Sequence, residues 1–267
     1  MIKQIHILSI LSIFLLMAIN ISFAQTEFTS DQQRRANQLV SLFEHGTIEI
    51  RYDDVDNLDD GRGYTCGRGG FTTATGDVLE VVKRYLKHYP DSPLSVYLPE
   101  LKRLAKAKSD AVEGLPGFPE AWKAESEKPQ FCDAQDAVID EWYWKPAQTV
   151  AEKNGIVSPL GIAILFDTII QHGDGSDADG LGSLLRRTRS HCDGSPKGGK
   201  VTEAKFLRVF LATRRATLEH AHDSDTREVW SKSTGRIDVL ESLLHAGNFE
   251  LQGPLKIRTK HHKANIP

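Results

Sequence analysis

The stretch Leu160-Gly161-Ile162-Ala163-Ile164-Leu165-Phe166-Asp167-Thr168-Ile169-Ile170 is apolar around nearly its whole helical circumference, with a single carboxylate in the middle. A helix of that kind belongs inside a core, which makes 159–172 the centre of a helical fold. Asp167 then has two readings. It lies on a narrow exposed stripe, or it is buried and needs a cationic partner, because an isolated buried charge costs several kcal/mol. In the second case the last two helices supply the arginine, with Arg214 and Arg227 as candidates.

Downstream of this helix the apolar periodicity predicts helices over 178–191, 203–222 and 227–246. Upstream, 133–154 reads as a long helix interrupted at Pro146, and Pro90, Pro93, Pro99, Pro116, Pro119 and Pro129 cut the preceding segment into short ones. A helix over 77–86 begins at Asp77, where negative charge favours the first turn. The first helix opens at a capping-box pattern, Ser30 before Asp31-Gln32-Gln33, and carries Ala36, Leu39, Val40 and Phe43 at helical spacing until Gly46. Glu44 falls in its last turn. The partial negative charge of the helix end disfavours a carboxylate there, so Glu44 is either solvated or kept for a reason. Between 47 and 75 the pattern turns β-prone, as in Ile48-Glu49-Ile50-Arg51-Tyr52, broken by Asp and Gly. That region is a small hairpin or irregular sheet, and its glycine density suits a cleft wall or a surface turn alike. The fold class is mainly α, with one small β region in the N-terminal third.

The 267-residue chain opens with Lys3, an apolar run from Ile7 to Ala18 and small residues up to Ala24. This is the pattern of an export signal over 1–24, too short for a membrane span. Secretion to the exterior or the periplasm is expected, with no membrane attachment afterwards. Residues 25–267 hold 32 Lys and Arg against 36 Asp and Glu, a formal charge of −4, and read as one domain and a monomer. Mild acidity argues against nucleic acid, which needs clustered Lys and Arg, and leaves room for a cationic ligand. Three cysteines, Cys66, Cys132 and Cys192, permit one disulfide at most.

Several motifs fail on inspection. In Asp174-Gly175-Ser176-Asp177-Ala178-Asp179-Gly180, the calcium-loop register that puts Gly180 at the turn places Gly175 at the first ligand position and Arg186 where a bidentate Glu belongs. His220 and His222 diverge on a helix, and no other pair stands at ligand spacing, so no metal is expected. The basic tail around His261-His262 reads as solvated. The glycines from Gly61 to Gly70 lack the ending of a phosphate loop and the dinucleotide fingerprint, so no cofactor is expected either. No Gly-x-Ser-x-Gly turn exists, and Cys66 has no assignable His. Paired carboxylates remain: Glu44 at a helix end and Asp60 in a glycine-rich turn, able to act as acid and base on a glycosidic bond.

Asp60-Gly61-Arg62-Gly63-Tyr64-Thr65, Gly70-Phe71 and Thr75-Gly76-Asp77-Val78-Leu79-Glu80-Val81-Val82 resemble the family 46 glycoside hydrolases, the bacterial endo-chitosanases. Ordered matches continue through Tyr97-Leu98-Pro99-Glu100-Leu101, Phe166-Asp167, His172-Gly173, Phe210-Leu211, Ala221-His222-Asp223 and Ala246-Gly247-Asn248, covering about 31–256. The resemblance implies a lysozyme-like fold of two helical lobes with a small β-sheet at the cleft wall. It implies Glu44 as proton donor, Asp60 as the base activating water, and Thr65 as a residue holding that water. It implies inversion, which requires carboxylates roughly 6.5–9.5 Å apart. It also implies an ion network behind the acid, here Asp167 with Arg214 and Arg227, although Arg215 competes with Arg214. Arg62, two residues on, is placed either to favour the Asp60 carboxylate or to pair with another acid. Asp77, Asp223 and His172 match positions that contact the substrate, chitosan, whose ammonium groups carboxylates would select. Cys66, Gly69 and Asp174 depart from the family pattern. The alternatives are a muramidase or chitinase acting on acetylated polymer, and an inactive polysaccharide-binding relative.

Overall fold

The computed structural model describes residues 28–222 and 224–267; the expected export segment 1–24 lies outside them. The elements in chain order are α1 (Ser30–His45), β1 (Val55–Asn57), β2 (Tyr64–Cys66), β3 (Phe71–Thr72), α2 (Asp77–Leu86), α3 (Leu98–Ala107), α4 (Phe118–Ser126), α5 (Pro129–Ile139) and α6 (Lys145–Asn154). They continue with α7 (Pro159–His172), α8 (Leu181–Cys192), α9 (Glu203–Glu219), α10 (Ser224–Ser231), α11 (Gly235–His245), β4 (Leu255–Arg258) and β5 (Lys263–Ile266).

Helix α7 is central because its composition allows nothing else: every residue from Pro159 to Ile169 is buried. Each fully buried Leu, Ile or Phe on it contributes about 1.5–3 kcal/mol. Packing falls into two groups. In one, α2 meets α3 and α5, α4 meets α5, and β1 and β3 lean on α4 and α2. In the other, α7 meets α1, α6, α8 and α11, while α9 packs on α8, α10 and α11. These are the two lobes, joined through α5 and α6. The expected interruption of 133–154 is a π turn over Asp140–Trp144, where the Lys145 N–H reaches back to the Asp140 carbonyl. Pro146 follows in the first turn of α6, where a missing N–H is harmless.

The sheet is antiparallel in the order β1-β2-β3, with Asp56 opposite Thr65 and Cys66 opposite Phe71. Residues 48–52 are irregular rather than a strand. The Tyr52 carbonyl accepts from Trp122 Nε1, Ser126 Oγ and Gln135 Nε2, side chains of α4 and α5, so it is taken before a ladder partner could use it.

Three further expectations are corrected. The capping box is closed by Thr29, one residue earlier than Ser30, because its hydroxyl accepts from Gln32 N while Gln32 Oε1 accepts from Thr29 N. The segment 227–246 is not one helix but α10 and α11, parted at Lys232–Thr234, where Ser233 Oγ turns back to the Trp230 carbonyl. The basic tail keeps His261 and its lysines exposed, as expected, but it is not a free end: His262 is half-buried, and β4 and β5 form a hairpin that buries Leu255, Ile257 and Ile266. Gly235 makes room for that hairpin, since a Cβ there would stand 2.6 Å from His261 Cβ.

Candidate active site

Glu44 stands where α1 ends, just before Gly46 in the left-handed region at φ 71°. Its carboxylate, 37% exposed, accepts from Arg236 Nη2 at 2.9 Å. Arg236 is buried in the first turn of α11, and its Nη1 donates to Asp167 Oδ1 at 3.1 Å. The other Asp167 oxygen accepts from Arg214 Nη1 at 2.5 Å. Asp167 and Arg214 are both fully enclosed, so neither charge could persist alone. Two carboxyl groups and two guanidinium groups thus form a continuous chain from the core to Glu44.

The expected network is present with one change of residue. Arg214, not Arg215, faces Asp167; Arg215 pairs outward with Asp238 and Glu241. The second arginine is Arg236, not Arg227. Arg227 is exposed, and its Nε donates to the Ala221 carbonyl, because the break before α11 puts it on a different helix. Arg236 had a readable signal: with Leu240, Leu243 and Leu244 it lies on one helical stripe, and a charge on a buried stripe marks an internal ion pair.

Asp60 sits on the turn between β1 and β2. Its Oδ2 accepts from Arg62 Nε at 2.9 Å and Nη2 at 2.6 Å, and its Oδ1 from the Arg62 amide at 3.1 Å. Hydrogen bonding from Arg62 holds the Asp60 carboxyl below the usual carboxylate range, keeping it ionised. The turn depends on Gly63, at φ 73°: a Cβ there would meet Thr73 Oγ1 at 2.3 Å and the Asp110 carbonyl at 3.2 Å.

A cleft of about 410 Å³ opens between these elements, lined by Glu44, Asp56, Leu58, Arg62, Thr65 and Tyr143, among others. Thr65 Oγ1 is buried there with no hydrogen-bond partner among the described residues. Such an atom normally finds one. Asp56, which sequence reasoning passed over, lies directly across the sheet from Thr65 and makes no ion pair among the described residues. Beneath them Arg68, nearly buried, pairs with Asp136, which also accepts from the Tyr52 hydroxyl. Asp77 opens α2, half-buried. Burial, and then the charge of Asp77, push the Tyr143 hydroxyl up to about 12. His172 is buried at the end of α7 rather than set on an open wall. Asp223 lies outside the described residues. Among the described residues no group of His, Cys, Asp and Glu could hold a metal ion.

Two helical lobes, a cleft with a small sheet on its wall, and two carboxylates on the elements that border it define a glycoside hydrolase of lysozyme-like fold. The sequence profile described as Glycosyl hydrolase family 46 matches residues 38–255. A chitosanase of Bacillus subtilis (strain 168) is 48% identical over 232 residues, 87% of this chain and 83% of the relative. The crystal structure of native chitosanase from Bacillus subtilis MY002 superposes with a TM-score of 0.82 at 47% identity, covering 90% of this chain and 100% of that one. The GH46 chitosanase of Gynuella sunshinyii, solved in complex with chitotetraose, gives a TM-score of 0.81 at 42% identity, covering 90% and 99%. The chain belongs to glycosyl hydrolase family 46.

Proposed function

We infer that this glycoside hydrolase is an endo-acting chitosanase, cutting β-1,4 links between glucosamine units with inversion at the anomeric carbon. One observation carries the assignment of the acid: Glu44 reaches the cleft as the exposed end of a buried ion chain, anchored by Arg236 at 2.9 Å. Such a carboxylate is fixed in place before substrate arrives, and positioning of that kind is a large part of catalysis. Glu44 gives its proton to the oxygen of the leaving sugar as the C1–O bond breaks. A water attacks C1 from the opposite face and passes its proton to Asp60, kept ionised by Arg62. Solvent then restores both carboxyl groups. Thr65 Oγ1, buried and unpartnered among the described residues, is suited to hold that water. General acid and general base each supply about 10²–10⁴ in rate.

Specificity follows from charge. A deacetylated unit carries an ammonium that Asp77, Asp223 and Asp56, which has no ion pair among the described residues, can attract, whereas an acetylated unit offers none. Segment 1–24 serves as the export signal, and residues 25–267 work as one catalytic domain outside the cytoplasm. No helix among the described residues is long and apolar enough to cross a membrane.

Proton NMR of a chitosan digest tests this reading. Initial α product from the β-linked polymer, lost in Glu44→Gln, is the expected result. Initial β product, undiminished activity of that variant, or cleavage of fully acetylated polymer alone would overturn it.

A further inference from the structure

His172 ends α7 with both ring nitrogens engaged. Its Nε2 lies 3.2 Å from Arg214 Nε, and its Nδ1 lies 3.0 Å from the Asp179 carbonyl. A guanidinium nitrogen can only donate, so Nε2 is the acceptor and Nδ1 carries the hydrogen that Asp179 accepts. The ring is covered by Trp230 of α10, centroids 4.5 Å apart at 67°, and only 8% of the residue is exposed.

Each contact leads to a different part of the site. Arg214 leads through Asp167 and Arg236 to Glu44. Asp179 leads to the segment beside Asp223, because its Oδ2 accepts from the His222 amide at 2.7 Å. The loop between them is internally braced: Asp177 Oδ1 accepts from the amides of Asp179 and Gly180, and Gly182 N donates to the Gly175 carbonyl.

We propose that His172 is a positioning residue, a neutral imidazole that fastens the 173–180 loop to Arg214 and so sets the guanidinium that orients the Asp167–Arg236–Glu44 chain. This goes beyond the chitosanase reading while resting on it. Three arginines among the described residues favour the neutral form. Arg214 of α9, which touches the ring, and then Arg236 of α11 and Arg187 of α8 disfavour a charge on it, while the hydrogen bond to the Asp179 carbonyl acts the other way. Burial and then Arg214 hold its pKa down to about 2. A substrate contact would need a free nitrogen facing the cleft, which this ring does not offer.

Two full-chain variants separate the roles, with kcat and KM measured on glucosamine oligomers. In His172→Gln the amide oxygen takes the place of Nε2 and still accepts from Arg214. In His172→Asn the shorter amide reaches Asp179 and leaves Arg214 without its acceptor. The expected result is kcat within about threefold of wild type for Gln, and a loss of about tenfold or more for Asn with KM nearly unchanged. A rise in KM with kcat preserved in both, or equal losses of kcat, overturns the proposal. If either variant fails to fold, nitrogen-15 NMR of the wild-type ring decides instead. A bare Nε2 that does not titrate between pH 8 and 4 is expected, and a ring protonating near its ordinary value of about 6.5 overturns it. Wild-type enzyme inactive on chitosan would instead defeat the chitosanase reading, which keeps the two failures apart.

Discussion

Arg236 binds Glu44 at 2.9 Å through one terminal nitrogen and Asp167 at 3.1 Å through the other. One buried side chain therefore carries both a core charge balance and the orientation of Glu44, the proposed proton donor. Stability and catalysis are coupled at that point, and several consequences can be measured.

Asp167→Asn leaves Arg214 and Arg236 facing each other with less than their compensating charge. Breaking a buried ion pair from one side costs about 3–5 kcal/mol. Urea unfolding should register that loss, and kcat should fall as Arg236 moves away from Glu44. An unchanged unfolding midpoint would contradict the burial of this carboxylate.

Arg236→Lys keeps the charge but removes the fork. A lysine ammonium is a point donor that cannot hold two carboxylates in the geometry of a planar guanidinium. Activity is expected to drop about tenfold or more while KM changes little, since the variant loses orientation rather than substrate contacts. Retained kcat would show that Glu44 is positioned by something else.

Asp60 must be ionised to accept the proton of water, and Arg62 holds its carboxyl low. The acid limb of the kcat/KM profile should therefore lie below the ordinary Asp value of about 3.9. Arg62→Ala removes the cause and should move that limb upward. A limb that stays in place would assign it to another group.

His172 refuses a proton in the folded protein down to about pH 2, whereas an unfolded histidine takes one below about 6.5. Its folded pKa is the lower of the two, so stability is complete above the unfolded value and declines as pH falls toward the folded one. The decline approaches about 1.4 kcal/mol per pH unit. Unfolding free energies at pH 7 and 5 should thus differ more for wild type than for His172→Gln. Identical pH slopes would show that the ring takes up a proton in the folded state.

Gly63→Ala puts a Cβ at 2.3 Å from Thr73 Oγ1 on a backbone at φ 73°. Strain of this kind costs about 1–3 kcal/mol. The turn carrying Asp60 should shift, lowering both melting temperature and kcat, while Gly61→Ala, with open space around it and only the positive φ to bear, should cost less.

The helical frame was legible because its signals are local: apolar spacing, caps and prolines mark α1, α2 and α7 within a residue or two. The two carboxylates drew notice for a different reason, their place in a pattern shared by a family. Less visible were features decided by partners distant in the chain. Residues 48–52 carry strand propensity, yet three side chains of α4 and α5 claim the Tyr52 carbonyl. Arg227 and Arg236 look alike until the break at Lys232–Thr234 determines which one turns inward. The β4–β5 hairpin did show alternation, Leu255 and Ile257 inward with Lys256 and Arg258 outward, but the basic residues obscured it.

That hairpin also bears on how the enzyme comes into being. His262 packs against Phe43, the neighbour of Glu44, with ring centroids 5.5 Å apart and planes tilted by 59°, and Arg35 of α1 donates to the Leu251 carbonyl. The helix bearing Glu44 leaves the ribosome well before the strands that brace it. Pairings of such sequence separation form late and slowly. A nascent chain emerging in order would hold Glu44 on an unsupported helix, and acid and base would become competent together only once the segment around 251–266 had closed over α1.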